Sequence, residues 1–226
     1  MSALRIVAVP ALASLSIAVA PADAAVIGFH ESFAAGAANW RGATSTTLLS
    51  WSQTGGPLDH AFVSSAFNLA ATQAGGIPST LIRASASAGS SSLAYAGNWA
   101  AEGVTGVNFW FRHDLADSIG LTLRVASPQN YPGASAFDGV LIAPNVWTLV
   151  SFDLRPEGGE WISFEGTTYA TALSNVGNMQ VGFNVPASLA GQNITGHFDM
   201  TGFSIVPGPG TLALLALGGV ISRRRR

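Results

Sequence analysis

Cysteine and lysine are both absent from this 226-residue chain, and charged side chains make up only 10% of it. Without cysteine no disulfide can hold the fold, so stability has to come from core burial, with a bound metal as the other available support. All ten basic residues are arginine, and four of them, Arg223, Arg224, Arg225 and Arg226, end the chain. A net charge of −2 without a basic stripe excludes nucleic acid as an expected partner. Missing as well are a Gly-x-Ser-x-Gly elbow, a His-Glu-x-x-His motif and a phosphate-binding glycine loop. What is abundant is apolar surface: 48% of the residues are hydrophobic, which rules out a highly charged disordered chain.

Part of that apolar content sits at the two ends. Met1 to Ala24 read as a secretory signal peptide. Arg5 supplies the positive n-region, Ile6 to Ala20 the apolar h-region, and Ala22-Asp23-Ala24 a small-x-small site with cleavage after Ala24. Cleavage after Ala18-Val19-Ala20 is the alternative. At the other end Val206-Pro207-Gly208-Pro209 precede an apolar run, Gly210 to Ile221, then Ser222 and the four arginines. Proline lacks an amide donor, so a domain boundary is expected after Ile205. The run has 12 residues. As a helix it would be about 18 Å long, short of the roughly 30 Å hydrocarbon core. The arginines behind it resist translocation and would keep the C-terminus on the cytoplasmic side, with the body outside.

Pro-x-Pro (Val206, Pro207, Pro209), a short Leu/Gly/Ala helix and a terminal arginine cluster together resemble the PEP-CTERM sorting signal of Gram-negative bacteria. Gly208 stands where the motif of that family has glutamate. The resemblance implies export across the inner membrane by the export machinery, with removal of the leader by signal peptidase. A transient C-terminal membrane anchor and processing by an exosortase-type membrane protease would follow. The destination it implies is the cell surface or the extracellular biofilm matrix, among exopolysaccharide.

Between the ends lie residues 25–205, with five arginines against eleven acids, a net of −6. That balance argues against direct binding of acidic polymers. Periodicity is that of strands. Val107, Phe109 and Phe111 alternate with Asn108, Trp110 and Arg112. Leu121, Leu123 and Val125 alternate with Thr122 and Arg124. Met179, Val181, Phe183 and Val185 alternate with Gln180, Gly182 and Asn184. Further strands are expected at Trp147 to Leu154, Val26 to Phe33, Thr46 to Gln53, Ala61 to Leu69, Thr80 to Ala84, Val140 to Ala143, Glu160 to Phe164 and Gly196 to Ile205. Turn clusters separate them, Pro128 to Gly133 among them, and only Thr168 to Val176 reads as a helical turn. The expectation is an all-β protein: one β-sandwich of the jelly-roll kind, flanked by the signal peptide and the short C-terminal hydrophobic helix.

The order of features also resembles carbohydrate-binding-module-like jelly rolls. It runs from Glu31-Ser32-Phe33 and Asn39-Trp40, through Phe109 to Asp114 and Trp147 to Leu154, to Phe198-Asp199-Met200. In such modules an acidic residue near each end joins backbone carbonyls around a structural calcium, which would assign Glu31 and Asp199 to a metal. Ordinary edge carboxylates are the alternative.

Asn108, Trp110, Arg112, Arg124, Gln180 and Asn184 all stand opposite the apolar positions of their strands, and form the candidate ligand face. An indole that stacks on a sugar's C–H face, beside amides and guanidiniums that reach hydroxyls, suits a neutral glycan. Catalytic residues are not assigned. Glu160 and Glu165 are five apart and face opposite sides of an uninterrupted strand, and His30, His60, His113 and His197 show no metal-ligand spacing. The remaining tryptophans are expected as core or loop anchors. The reading is an exported, non-catalytic surface or matrix protein that binds a neutral exopolysaccharide. A polysaccharide lyase or glycoside hydrolase on the same scaffold, and a structural protein without ligand, stay open.

Overall fold

The computed structural model describes residues 27–155, 160–163 and 166–208. Signal peptide residues 1–24, Pro209, and the apolar run and arginines up to Arg226 lie outside the described residues. Among the described residues no helix is long and apolar enough to cross a membrane.

Two antiparallel sheets form a β-sandwich. In the first, β3 (Ser50–Ser52), β4 (Phe62–Asn68), β12 (Thr195–Pro207), β6 (Val104–His113) and β9 (Thr148–Asp153) lie side by side, and β1 (His30–Glu31) also pairs with β12. In the second the order is β10 (Glu160–Ser163), β8 (Gly133–Ile142), β7 (Ile119–Ala126), β11 (Asn178–Asn184), β5 (Ser79–Ser85) and β2 (Arg41–Gly42). Among the described residues the one α-helix, α1 (Tyr169–Leu173), is capped by Thr168, whose hydroxyl accepts from the Thr171 amide at 3.2 Å.

The alternation seen in the sequence decides what each strand buries. Val107, Phe109 and Phe111 point inward, as do Leu121, Leu123 and Val125 and, on β11, Met179, Val181 and Phe183. Aromatic rings join the sheets: Phe183 of β11 lies 5.2 Å from Phe198 of β12 and 6.0 Å from Phe67 of β4, between ring centroids. Each such side chain contributes about 1.5–3 kcal/mol by leaving water, which in a chain without disulfides carries the fold. Trp40 and Trp99 are fully buried in the same core.

Three boundaries differ from expectation. β8 begins at Gly133 rather than Val140, because its inward residues there are the buried Ala134 and Ala136, too small to register as a hydrophobic stripe. Of the strand expected over Val26 to Phe33, described from residue 27 on, His30–Glu31 is the part of the described residues that pairs as strand. β12 runs on to Pro207, with Val206 opposite Gly106 and Pro207 opposite Val104, and the Gly208 amide donates to the Gly103 carbonyl at 2.7 Å. Val206 and Pro207, assigned to the sorting segment, are therefore part of the sandwich; proline ends a strand but can still occupy its last position.

Candidate functional site

The six residues expected on one polar face are divided between the sheets. Asn108, Trp110 and Arg112 project outward from β6 in the first sheet. Arg124 of β7 and Gln180 and Asn184 of β11 project outward from the second, with the core between the two sets. In-out alternation within each strand follows the expected pattern; a strand's sheet is set by long-range pairing that alternation does not encode.

On the first sheet, β1, β12, β6 and β9 stand in register. His30, Ser204, Asn108 and Ser151 make one cross-strand row, and Thr201, Trp110 and Leu149 make the next. His30 Nδ1 and Ser204 Oγ are 2.7 Å apart. Between the rows β12 carries one extra residue, a bulge that places Gly202 at φ 65°. A Cβ there would lie 3.6 Å from Trp110 Cδ1 and 3.7 Å from His30 Cε1, so glycine keeps the space between indole and imidazole open.

A loop, residues 53–61, rises beside this floor. Its tip turns through Leu58 (φ 54°) and Asp59 (φ 63°), both in the left-handed region that costs a non-glycine residue energy. Three contacts fix it. Asp59 Oδ1 accepts from the Gly55 amide at 2.9 Å, the Trp147 indole donates to the Gly55 carbonyl at 3.2 Å, and the Thr201 hydroxyl donates to the Ala61 carbonyl at 2.7 Å. Floor and loop enclose a depression of about 870 Å³, lined among others by Trp110, Asn108, His30, His60, Asp59 and Leu58. Leu58 is 91% exposed at its rim.

Arg112 is not a lining residue. Its Nε and Nη2 both donate to Asp199 Oδ2, at 2.9 and 2.6 Å, and its guanidinium lies 4.6 Å from the centroid of Trp147 and 5.4 Å from that of Phe62. It thereby braces the aromatic pair that holds the loop.

The same bond removes Asp199 from a shared metal site. Glu31 lies opposite Phe203, on the core side of the sheet, where Oε1 accepts from the Phe33 amide at 2.9 Å and Oε2 from the Ser91 hydroxyl at 2.7 Å. Asp199 lies opposite Arg112 on the outer side. The bulge at Gly202 is what puts these two even-spaced register positions on opposite faces. Glu31 and Asp199 therefore do not form the expected calcium pair, and among the described residues no group of three or more His, Asp or Glu could hold a metal.

The second sheet carries a smaller depression of about 320 Å³, whose lining includes Arg124, Gln180, Thr80, Thr122, Asn130 and Tyr131. Asn130 organises it. Its Oδ1 accepts from Arg124 Nη1 at 2.9 Å and from Gln180 Nε2 at 2.7 Å, and its carbonyl accepts from Arg124 Nη2 at 2.6 Å. Gln180 Oε1 accepts in turn from the Thr80 hydroxyl at 3.1 Å. Tyr131, 58% exposed, lies with its ring centroid 5.3 Å from the Arg124 guanidinium. Asn184 is on the same face but four residues further along β11, outside the lining.

Sequence reasoning missed His30, His60, Asp59, Asn130 and Tyr131. The available signal was an exposed aromatic or apolar residue inside a turn cluster: Tyr131 within Pro128 to Gly133, and Leu58 after Gly55-Gly56-Pro57. The other tryptophans act as anchors, Trp51 by donating to the Phe33 carbonyl at 2.7 Å and Trp161 by packing 4.0 Å from the Tyr169 ring.

No family model and no curated protein matches the chain. Two solved structures are similar in part. The CBM22-1–GH10 modules of endo-1,4-beta-D-xylanase 10B from Clostridium thermocellum, complexed with xylohexaose, match at 10% identity and a TM-score of 0.42 over 78% of this chain and 28% of that one. An agarase matches at 13% identity and a TM-score of 0.39 over 71% of this chain and 22% of that one. This chain thus corresponds to less than a third of either protein's length. Likenesses this low leave the question of a ligand to the chain's own residues.

Proposed function

We propose that this is an exported cell-surface or matrix protein that binds a neutral exopolysaccharide on the outer face of its first sheet. The observation that carries the reading is the Trp110 indole in the floor of the 870 Å³ depression, kept uncovered by Gly202 and ringed by hydrogen-bonding groups. A sugar ring laid on the indole buries its C–H face there. Asn108, Ser204, His30 and His60 are then placed to exchange hydrogen bonds with its hydroxyls. The volume falls in the range of about 300–1,000 Å³ usual for ligand sites. Asp59 is the one carboxylate of the described lining, whereas glycosidases usually set two across the scissile bond, so retention of the glycan is favoured over its cleavage. Export by the leader, anchoring by the apolar run and processing by an exosortase-type protease complete the proposal; their support is the sequence pattern of the two ends.

The test is affinity electrophoresis or pull-down on a panel of neutral polysaccharides with native protein and Trp110→Ala. Trp110 is only half-buried, so the variant should fold, and its affinity for the retained polymer should fall about tenfold, as expected for a lost aromatic stack and its buried area. Unchanged retention of every polymer that the native protein binds would overturn the assignment of this face.

A further inference from the structure

The body carries only five arginines, and the pairing register gathers three of them in one line on the second sheet. Arg41 of β2 stands opposite Arg83 of β5, Arg83 opposite Gln180 of β11, and Gln180 opposite Arg124 of β7. Residues directly opposite in an antiparallel pair share a face, so the line Arg41–Arg83–Gln180–Arg124 runs across four strands on the outside of the sandwich. Arg124 lines the depression at one end of this row, and no carboxylate is among the described residues that line it. Like charges directly opposite one another in a sheet repel, as Arg41 and Arg83 do here, so this row concentrates positive charge on one part of the face.

We infer that the second face is a separate binding site for an acidic polysaccharide, with a uronate carboxylate received at Arg124 in the depression, Arg83 adding its charge from two places along the same row, and the sugar ring laid against Tyr131. Arginine is the residue suited to this, since its planar fork matches a carboxylate. Arg83 donates Nη2 to the Ala43 carbonyl at 2.7 Å, while its Nε is buried without a hydrogen-bond partner. Burial, and then the neighbouring charge of Arg124, hold the Arg83 pKa below its ordinary value, and a carboxylate bound at Arg124 would offset the repulsion between the two guanidiniums. Two glycines allow the close packing around the depression. A Cβ at Gly182 would lie 2.8 Å from the Ser79 carbonyl oxygen and 2.9 Å from Thr122 Oγ1, and one at Gly133 would lie 2.7 Å from Arg124 Nη2. The bulk charge of −6 concealed this local arrangement, because that balance is spread over the whole body and the arginine line is not.

The experiment compares binding of the full chain to polygalacturonate and to its fully methyl-esterified form at low salt, with a neutral polysaccharide retained by the native protein run beside them. Esterification removes the charge and keeps the sugar. The native protein should bind the acid form about tenfold or more tightly than the ester, as expected for a charge-assisted pair, and lose the preference as salt is raised. Arg83→Gln, Arg124→Gln and Tyr131→Ala should each weaken acid binding and leave neutral retention unchanged. Equal binding of acid and ester, binding of neither, or a preference that persists in all three variants would overturn the inference. The ester comparison needs only native protein, so it stands even where an arginine variant folds poorly. Loss of neutral retention alone, with the acid preference intact, would count against the Trp110 face and not against this one.

Discussion

The two outer faces of the sandwich are built by the same in-out alternation, on different strands, and yet carry opposite chemistry. The first has an indole, two imidazoles, amide and hydroxyl groups and one carboxylate in a depression of about 870 Å³, with Arg112 of the same strand as Trp110 bound to Asp199 outside the lining. The second has Arg124 and an exposed tyrosine in a depression of about 320 Å³ with no carboxylate among its described lining, and Arg83 and Arg41 further along the same cross-strand row. The difference comes from register rather than composition. A bulge at Gly202 clears Trp110 on one face, and a second irregularity, between Val181 and Gly182, brings Thr80 opposite Gly182 on the other. Two ligands of unlike charge could be held at once, with the shared core keeping the sites apart.

The largest separation of the faces should come from Gly133→Val. Its Cβ would meet Arg124 Nη2 at 2.7 Å and the Val125 carbonyl oxygen at 2.9 Å, and backbone cannot yield as a flexible side chain can. A loss of about 2–3 kcal/mol in urea unfolding is expected, the usual cost of overpacking. Below the midpoint, the variant should lose its preference for the acid polymer and keep neutral retention.

Arg112→Ala should act on the other face without touching ligand. It leaves the Asp199 carboxylate, 12% exposed, without its partner and takes the guanidinium off Trp147. About 2 kcal/mol of stability should go, and neutral affinity should fall because the loop at residues 53–61 loses its brace. Acid-polymer binding should be unchanged.

A smaller effect should strike both faces together. His113 ends β6 in the first sheet, is 1% exposed, and bonds through Nε2 to the Ile142 carbonyl of β8 in the second at 2.9 Å, while its Nδ1 has no partner. Burial lowers its pKa from the ordinary 6.5, against the opposing pull of that carbonyl and of Asp114. With the folded pKa depressed, the unfolded chain takes up the proton first as pH falls below 6.5. The contribution is therefore complete above that pH and is lost below it, at up to about 1.4 kcal/mol per pH unit. Chemical denaturation between pH 7.5 and 5 should show this slope, His113→Gln should flatten it, and both binding activities should weaken in parallel.

How much of this was legible follows from what each signal encodes. Strands with large inward residues, such as Phe109-Phe111 and Val181-Phe183, showed themselves by alternation. β8 was half hidden, because Ala134 and Ala136 bury as completely as phenylalanine without looking hydrophobic in a pattern. The candidate site was legible by face and illegible by sheet. Asn108 with Trp110, and Arg124 with Gln180, were correctly placed outward, but their grouping depends on strand pairings across more than fifty residues. Glu31 and Asp199 show the same limit more sharply, since one extra residue in β12 reverses the side on which a carboxylate emerges.

Independence of the faces is tested most directly by competition. Native protein saturated with the neutral polysaccharide is titrated with polygalacturonate by calorimetry or a labelled-polymer shift. Affinity for the second polymer unchanged by the first, with a ternary complex detected, is the expected result. Displacement of one polymer by the other would contradict two separate sites and reduce the molecule to a single binding face.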